Sequence, residues 1–480
     1  MKRLKVQNKT VLVIGGGPAG STAASLLARA NIEVTLIERD FFPRYHIGES
    51  LLPSCLEILE FIGARNLIEN YGFQRKPGAY FEWKGEKWLL EFGELRGCYQ
   101  YSFQVKRAEF DQLLLQHARN QGVKVLEGIK VDELVFSGNK PTGALCYQTK
   151  SKKKLPLIEF DYLIDASGRA GIMSNRYLKN RCFHETFKNV AVWGYWKEAQ
   201  PALVKGFEGA IMVGSIANGW LWAIPFSDGQ MSIGVVLGKD FFLSARKEHS
   251  LAQIYANAIA ASSLMTKISA SGTLVSNLLV EQDYSYAAKK FTAEKCFIIG
   301  DAACFLDPLL STGVHLAMYS GLLSAASIAS LVHGEISEKE ATSYYEQSYR
   351  QAYLRFFIFV AAFYEAHGKL GYYNKAAQLS EFSVDPNNLK LAFLNLISGL
   401  EDFASAEKCT SHLIGEVSKR VNENLAFRKE KKGFRKKELQ VQIEENIAFF
   451  DALEGLSALS PAMAINGLYV STSPLGLRRT

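Results

Sequence analysis

The apolar positions of the chain fall into short runs that end in small or acidic residues. Residues 10–14 form a β-branched run typical of a buried strand, residues 21–29 an alanine-rich helix, and residues 33–37 a second strand. Two later runs, 160–164 and 296–299, are also predicted to be strands. The ends of parallel strands meet at one edge of a doubly wound sheet. The pattern therefore predicts an α/β fold in which a long ligand lies along that edge.

A glycine-rich turn joins the first predicted strand to the first helix. Gly15, Gly17 and Gly20 have G-x-G-x-x-G spacing, and the second strand ends in Glu38. In such a turn the first glycine permits a tight bend, the second lets a pyrophosphate approach, and the third allows close helix–strand packing. Glu38 is placed to accept ribose hydroxyls. Glycines alone also suit a purely structural turn, and the motif does not separate FAD from NAD.

Composition narrows the class of protein. The 480 residues carry a formal net charge of +7 and 48% hydrophobic residues, typical of a soluble globular enzyme and not of a nucleic-acid-binding protein. The seven cysteines never form C-x-x-C, which predicts reduced thiols in the cytoplasm and no metal site. The apolar run 314–332 is interpreted as a buried helix, so no membrane association is expected.

Polar and small residues near the later predicted strands add to the glycine turn. Gln104 and Arg107 precede a helix, Asp165 follows one strand, and Gly300-Asp301 follows another. Together with the glycine turn, this combination resembles the flavoprotein monooxygenase superfamily, with its para-hydroxybenzoate hydroxylase-like fold, over roughly residues 10–335. The resemblance implies bound FAD; Asp301 alone also suits a helix cap. The residues expected to bind the cofactor are Gly15, Gly17, Ala19, Gly20, Glu38, Arg39, Glu49, Ser50, Gln104, Arg107, Asp165, Gly300, Asp301 and Gly313.

A tryptophan motif narrows the choice among the families of this superfamily. Residues 219–225 read GWLWAIP, a W-x-W-x-I-P pattern that includes Trp220, Trp222 and Pro225. Two indoles on one face of a strand form a large apolar wall, although ordinary core packing would use them equally well. The full pattern is similar to the signature of flavin-dependent halogenases. In that family it is thought to separate the substrate from the flavin.

Two further segments carry the same resemblance. The turn before the helix at residue 312 is similar to the halogenase flavin loop, which implies halide held by the backbone amides of Thr312 and Gly313. A helix cap with a flavin contact is the plainer alternative. Residues 43–53 and the F-x-x-K-x-G pattern at 73–78 also resemble these halogenases, and the pattern implies that Lys76 is catalytic. Most lysines are simply solvated, and Arg75 stands next to this one.

The resemblance implies a two-component reaction. FAD used as FADH2, O2 and chloride or bromide would give hypohalous acid, which Lys76 directs onto an electron-rich aromatic ring. A separate NAD(P)H-dependent flavin reductase is expected, since no second dinucleotide motif follows residue 40. Tryptophan halogenases carry glutamate where this chain has Leu310, so a phenol or pyrrole, possibly tethered to a carrier protein, fits better than indole. An aromatic hydroxylase, a prenyl-chain reductase and an inert flavin-binding protein remain alternatives.

Two regions are predicted along the chain. Residues 1–335 form the FAD-binding core, with an inserted antiparallel β-sheet region at about 77–103 and 185–285 that contributes to the substrate site. Residues 336–480 form a helical C-terminal region for substrate or partner. Its basic segments, 428–432 and 435–437, are either solvated faces or a docking surface for an acidic carrier protein, with Lys431, Lys432, Lys436 and Lys437 as the candidate contacts.

Overall fold

The computed structural model describes residues 9–83, 85–94, 99–184, 187–200, 206–282, 285–365, 458–459, 461 and 464–480. In this part of the chain the α-helices are α1 (Pro18–Arg29), α2 (Pro53–Ile62), α3 (Arg65–Glu69), α4 (Arg107–Asn120), α5 (Lys239–Ala245), α6 (Leu251–Ala260), α7 (Ser263–Ser269), α8 (Thr312–His333) and α9 (Glu338–Glu365). The strands are β1 (Thr10–Ile14), β2 (Glu33–Glu38), β3 (Gln74–Lys76), β4 (Gly78–Trp83), β5 (Glu86–Glu91), β6 (Ser102–Gln104), β7 (Lys124–Glu127), β8 (Ile129–Ser137), β9 (Lys140–Gln148), β10 (Ile158–Glu159), β11 (Tyr162–Asp165), β12 (Arg181–Phe183), β13 (Asn189–Lys197), β14 (Ile211–Ile216), β15 (Gly219–Pro225), β16 (Gln230–Gly238), β17 (Thr273–Leu274), β18 (Leu279–Gln282), β19 (Tyr286–Ala288), β20 (Thr292–Ala293), β21 (Cys296–Ile298), β22 (Cys304–Phe305), β23 (Leu468–Thr472) and β24 (Leu475–Arg479).

The first sheet confirms the predicted doubly wound α/β fold. Its strand order is β20-β21-β11-β1-β2-β7, and all neighbours pair in parallel except β20. Residues 11–14 of β1 are buried on both faces, which explains a continuous apolar run rather than an alternating one. The carboxyl ends of β1, β2 and β11 lie side by side, as the sequence predicts.

The second sheet corresponds to the inserted β region. Its order is β17-β13-β16-β15-β14-β4-β5, with β18 also paired to β13. The expectation of an antiparallel sheet is wrong at one place, because β14 and β4 pair in parallel. These two strands come from the two separate inserted segments, so no hairpin forces them to run in opposite directions.

Side chains alternate between the two faces of this sheet. On β15, Leu221 and Ala223 belong to a core cluster that includes residues of α6 and α7. Trp220, Trp222 and Ile224 point to the opposite face and join the main core. The sequence thus directs the tryptophans of the W-x-W motif toward the first sheet.

The long apolar helix α8 lies in the core. It is long and apolar enough to cross a membrane, but 94% of its most apolar window is buried inside the protein. It contacts both α1 and α9. Its burial is that of a core helix, as interpreted from the sequence.

The region after residue 335 is not entirely helical. Helix α9 fits the prediction, but β23 and β24 form an antiparallel hairpin at the end of the chain. The backbone N–H of Leu477 donates to Ser330 Oγ at 2.8 Å, and Arg478 pairs with Glu335 at 3.0 Å, so the hairpin is attached to α8 and the residues that follow it. The basic segments at 428–437 lie outside the described residues.

Candidate active site

A cavity of about 680 Å³ lies between the carboxyl edge of the first sheet and the tryptophan face of the second. This volume is ordinary for a cofactor site. Of the residues predicted to bind the cofactor, those lining the cavity are Gly15, Gly17, Ala19, Glu38, Arg39, Glu49, Ser50, Arg107, Asp301 and Gly313. Gly20, Gln104, Asp165 and Gly300 are not among the lining residues.

The glycine turn has the geometry that its spacing predicts. Gly15 has a φ of +111°, and a Cβ there would lie 2.2 Å from the carbonyl oxygen of Ala166. A Cβ on Gly20 would lie 1.9 Å from the carbonyl oxygen of Gly15, so only glycine permits this approach. Gly17 caps α1 without any side-chain hydrogen bond. The first N–H groups of α1 are therefore available to a phosphate.

Glu38 is held by backbone groups at the edge of the cavity. Its Oε2 accepts a 2.8 Å hydrogen bond from the backbone N–H of Gly16, and its Oε1 accepts one of 2.9 Å from Asp40. The carboxylate is buried and fixes the relative positions of the glycine turn and the end of β2. This position is consistent with the predicted ribose contact.

Arg107 is fixed by a partner that the sequence analysis missed. Asp111, one helical turn later on α4, accepts from Arg107 Nε at 2.8 Å and from its Nη2 at 3.0 Å. Arg44 donates to the same carboxylate at 3.2 Å. The i,i+4 spacing of Arg107 and Asp111 was a usable signal, because such residues are neighbours on one helix face. The pair presents a rigid guanidinium to the cavity.

Asp301 and Asp165 have different positions. Burial raises the pKa of Asp301 to about 6, and this carboxyl lines the cavity. Asp165 is fully buried, and its carboxylate accepts from the backbone N–H groups of Ser167 and Met173. Asp165 therefore holds the loop that lines the cavity, which favours a supporting role over the predicted direct contact.

Gln104 and Gly300, which were also predicted to contact the cofactor, lie behind the residues that line the cavity. Gln104 Nε2 donates to the carbonyl of Gly209 at 3.1 Å. Gly300 adopts a φ of +56°, and a Cβ there would lie 3.0 Å from the Cβ of Ala19. Both residues support the wall of the cavity without lining the cavity itself.

These features fit FAD. The uncapped start of α1 and the glycines that a Cβ would clash with suit a pyrophosphate, and Arg107 adds a fixed positive charge. Glu38 suits a ribose, and the cavity continues from this end to the tryptophan face. The residues that would hold the cofactor are thus on one continuous surface.

The tryptophan wall contains a third indole. Trp220 and Trp222 lie with ring centroids 5.9 Å apart, and Trp193 on β13 lies 6.4 Å from Trp222. All three line the cavity, whereas Pro225 ends the strand outside it. A Cβ on Gly234 would come within 2.2 Å of the Trp222 ring, so this glycine makes room for it. No local motif pointed to Trp193 or Gly234.

The N-terminus of α8 faces the cavity. Ser311, the residue before the helix, has a φ of +58° and makes no side-chain capping bond. Ser311 and Gly313 line the cavity, while the side chain of Thr312 is buried. Backbone N–H groups in the uncapped first turn of a long helix suit a small anion. His315 is buried in α8, where its Nδ1 lies 2.8 Å from Ser54 Oγ, a packing and hydrogen-bonding position.

Lys76 is buried, with 2% of its surface exposed. Its Nζ donates to the carbonyl of Leu51 at 2.9 Å and lies 5.4 Å from the ring centre of Phe92. Burial lowers the pKa of Lys76 to about 7. The amine does not line the cavity, but it bonds to the residue next to Ser50, which does.

Several buried polar atoms near Lys76 lack a hydrogen-bond partner among the described residues. They are Ser50 Oγ, Ser102 Oγ and Gln104 Oε1. Ser102 is opposite Lys76 in the β3–β6 pair, and Gln104 forms a bridge with Ser50. A buried polar atom without a partner is unfavourable unless water or a ligand reaches it. The backbone pairing thus connects Ser50, which lines the cavity, through Gln104 and Ser102 to Lys76, and we call these residues the polar seam.

The chain matches the family model described as tryptophan halogenase over residues 10–99 and 95–380. It is 45% identical over 404 residues to a tryptophan 2-halogenase of Chondromyces crocatus, covering 83% of this chain and 77% of that protein. It is 36% identical to the flavin-dependent halogenase AscD of Acremonium egyptiacum, covering 82% of this chain and 74% of that protein.

The fold is also that of a solved enzyme. The structure of the myxobacterial chondrochloren halogenase CndH, an FAD-dependent halogenase, matches with a TM-score of 0.69 and 29% identity, covering 92% of this chain and 97% of that chain. Sequence, fold and cavity thus agree, and the chain belongs to the family of FAD-dependent halogenases whose model is tryptophan halogenase.

Proposed function

We propose that this halogenase makes hypohalous acid from halide and O2 and directs it through Lys76 onto an electron-rich aromatic ring. Reduced FAD supplies the electrons for this chemistry. The observation that carries the proposal is the position of Lys76, buried one residue behind the cavity wall.

The halide is proposed to bind at Thr312 and Gly313. The uncapped start of α8 offers backbone N–H groups, and Gly313 lines the cavity. A helix N-terminus favours an anion by both its free donors and its dipole.

The seam of unpartnered atoms supports a short polar route to Lys76. Ser50, Ser102 and Gln104 can hydrogen-bond a small polar oxidant as it passes. With a pKa near 7, Lys76 has both ammonium and amine forms near neutral pH. The ammonium can donate a hydrogen bond to the oxidant, and the amine can take up its halogen.

The proposed acceptor is a phenol or a pyrrole, free or tethered to a carrier protein. Leu310 is buried and apolar where tryptophan halogenases carry glutamate, so the site lacks that carboxylate for an indole. An indole acceptor is the second candidate, because a relative that is 45% identical is named a tryptophan 2-halogenase. A separate flavin reductase completes the proposed system.

The test is mass spectrometry of reactions with phenol, pyrrole, carrier-bound and tryptophan acceptors. Each contains the enzyme, FAD, a flavin reductase, NADH, oxygen and chloride or bromide, beside Lys76→Ala and Arg75→Ala variants. A halogen isotope pattern that disappears only with Lys76→Ala is expected. A product heavier by one oxygen would indicate an aromatic hydroxylase instead. Halogenation of tryptophan alone would replace the phenol or pyrrole proposal.

A further inference from the structure

A chain of hydroxyl groups connects the cavity to the protein surface. Glu49 lines the cavity and is 3% exposed. Its Oε1 accepts a 2.6 Å hydrogen bond from the hydroxyl of Tyr195. That hydroxyl lies 3.0 Å from the hydroxyl of Tyr45, which is 52% exposed. Each step is within ordinary hydrogen-bond distance.

The hydrogen bonds in this series of hydroxyl groups can all point the same way, from the surface toward the cavity. Trp193 Nε1 donates to the Tyr45 oxygen at 2.7 Å, which leaves the Tyr45 hydrogen free to point elsewhere. Tyr195 has one hydroxyl hydrogen, so when it donates to Glu49 it can accept from Tyr45. A proton entering at Tyr45 is then passed to Glu49 by an exchange of hydrogen bonds, without an ionised tyrosine.

Besides Tyr195, the hydroxyl of Ser232 lies close enough to the Glu49 carboxyl to lower its pKa. Glu49 Oε2 is buried and, among the described residues, has no partner with full hydrogen-bond geometry. Because Glu49 also lines the cavity, this oxygen is available to a group bound inside it. One oxygen of the Glu49 carboxyl thus accepts from Tyr195, and the other is available to a group bound in the cavity.

The reaction needs such a connection, provided that the proposed route through hypohalous acid is correct. The balance is X⁻ + O2 + FADH2 + H⁺ → HOX + FAD + H2O. Halide loses two electrons and the flavin two, and oxygen gains four. Without halide, FADH2 + O2 → FAD + H2O2 takes up no further proton. Halide oxidation therefore consumes one extra proton in the cavity.

We infer that Tyr45, Tyr195 and Glu49 form a relay that delivers this proton from solvent to the flavin cavity. Glu49 is the group that hands the proton to the reacting species, and the two tyrosines refill it. This role is additional to the flavin contact predicted for Glu49.

The electrostatics of Glu49 suit this role. Burial raises the pKa of its carboxyl to about 7, whereas the hydrogen bonds from Tyr195 and Ser232 and the nearby charges of Arg107 and Lys106 lower it. Tyr45 and Tyr195, the other titratable groups on the relay, have pKa values raised by burial, that of Tyr45 to about 12, so both stay neutral. A carboxyl with a pKa near neutrality can both hold and release a proton at physiological pH.

The test compares Tyr45→Phe, Tyr195→Phe and Glu49→Gln with a matched control. Tyr255 also accepts from a tryptophan of β13, Trp196, at 2.9 Å, but it donates to the carbonyl of Ile233 on the far side of the sheet. Tyr255→Phe therefore removes a similar hydroxyl away from the relay. The first readout is infrared titration of the Glu49 carboxyl in flavin-free protein, with the band assigned by its loss in Glu49→Gln.

In this titration the wild type is expected to have a midpoint near neutral pH. Tyr195→Phe raises it, because a bond that lowers the pKa is gone, whereas Tyr45→Phe and Tyr255→Phe leave it nearly unchanged. A Glu49 that stays ionised to low pH would overturn the relay.

The second readout is chloride-dependent proton uptake, measured with a pH indicator when reduced enzyme is mixed with oxygen and no aromatic acceptor. Tyr45→Phe and Tyr195→Phe should slow it by about tenfold or more, with recovery in added imidazole or formate buffer. Wild-type uptake in both variants, or equal slowing by Tyr255→Phe, overturns the relay. Normal chloride-dependent uptake, together with no halogenated product when phenol, pyrrole or carrier-bound acceptors are supplied in the mass-spectrometry test, leaves the relay standing and rejects the proposed acceptor.

Discussion

Lys76 Nζ and the carbonyl oxygen of Leu51 are 2.9 Å apart, in a part of the protein from which solvent is largely excluded. This bond ties the amine to the segment whose preceding residues, Glu49 and Ser50, line the flavin cavity. A buried lysine without a carboxylate partner is unfavourable for folding. The position of Lys76 behind the cavity wall points to a chemical task rather than a structural one.

Replacement of Lys76 by methionine should reduce halogenated product by at least about 100-fold, because the group proposed to direct the oxidant is lost. FAD affinity should change little, since Lys76 does not line the cavity. Product is measured by mass spectrometry and FAD binding by fluorescence titration. Arg75→Ala is the control, as the neighbouring side chain is 66% exposed. Parallel loss of FAD binding would mean that Lys76 only supports the fold.

The stability of the protein should depend on pH through Lys76. Its pKa falls from a usual value of 10.5 to about 7 in the folded state. Between these values the unfolded chain holds a proton that the folded chain has released, so stability increases as pH rises through this window. The full effect of such a shift is on the order of 5 kcal/mol.

Urea unfolding at several pH values, with Lys76→Met beside the wild type, checks this dependence. The advantage of the methionine variant should be largest below about pH 7 and should shrink toward pH 10.5. A constant difference across this range would show that Lys76 keeps an ordinary pKa.

Gly234→Ala should disturb the tryptophan wall. The new Cβ would lie 2.2 Å from the Trp222 ring, so the indole or the strand must shift. Overpacking of this kind costs about 1–3 kcal/mol. Thermal unfolding and tryptophan emission report the effect, and Gly238→Ala at the end of the same strand, with open space around its Cβ, is the comparison. Equal behaviour of the two variants would contradict the packing described.

Gly313→Ala should weaken halide use. Its Cβ would lie 2.9 Å from Phe305 Cε2, so the first turn of α8 or the ring must move. The chloride concentration for half-maximal rate should rise about tenfold, a loss of about 1.4 kcal/mol. Phe305→Leu, tested alone and in combination, should restore part of the loss if the clash is the cause. An unchanged chloride dependence would argue against halide at this turn.

The flavin half of the site was predictable because its signals are local. Strand, glycine turn, helix and Glu38 follow one another within about thirty residues, and each has a strict backbone requirement. The W-x-W motif was equally visible, since alternation along one strand fixes which face its indoles share.

Other parts depend on distant contacts that no local pattern encodes. Trp193 joins the wall only because β13 and β15 both pair with β16. The relay from Tyr45 to Glu49 needs Tyr195, about 150 residues away, to reach the 43–53 segment. The parallel pairing of β14 with β4 was missed for the same reason, whereas the terminal hairpin is a local pairing whose two short strands the prediction of a helical region overlooked.

The attachment of the terminal hairpin has a consequence for the part of the chain between α9 and β23. Helix α9 packs on α8, and β24 returns to the same helix. Residues 366–457 thus lie in sequence between two elements, α9 and the terminal hairpin, that both contact α8, a helix of 22 residues. Both ends of this interval are therefore anchored on the helix whose N-terminal turn is proposed to bind halide.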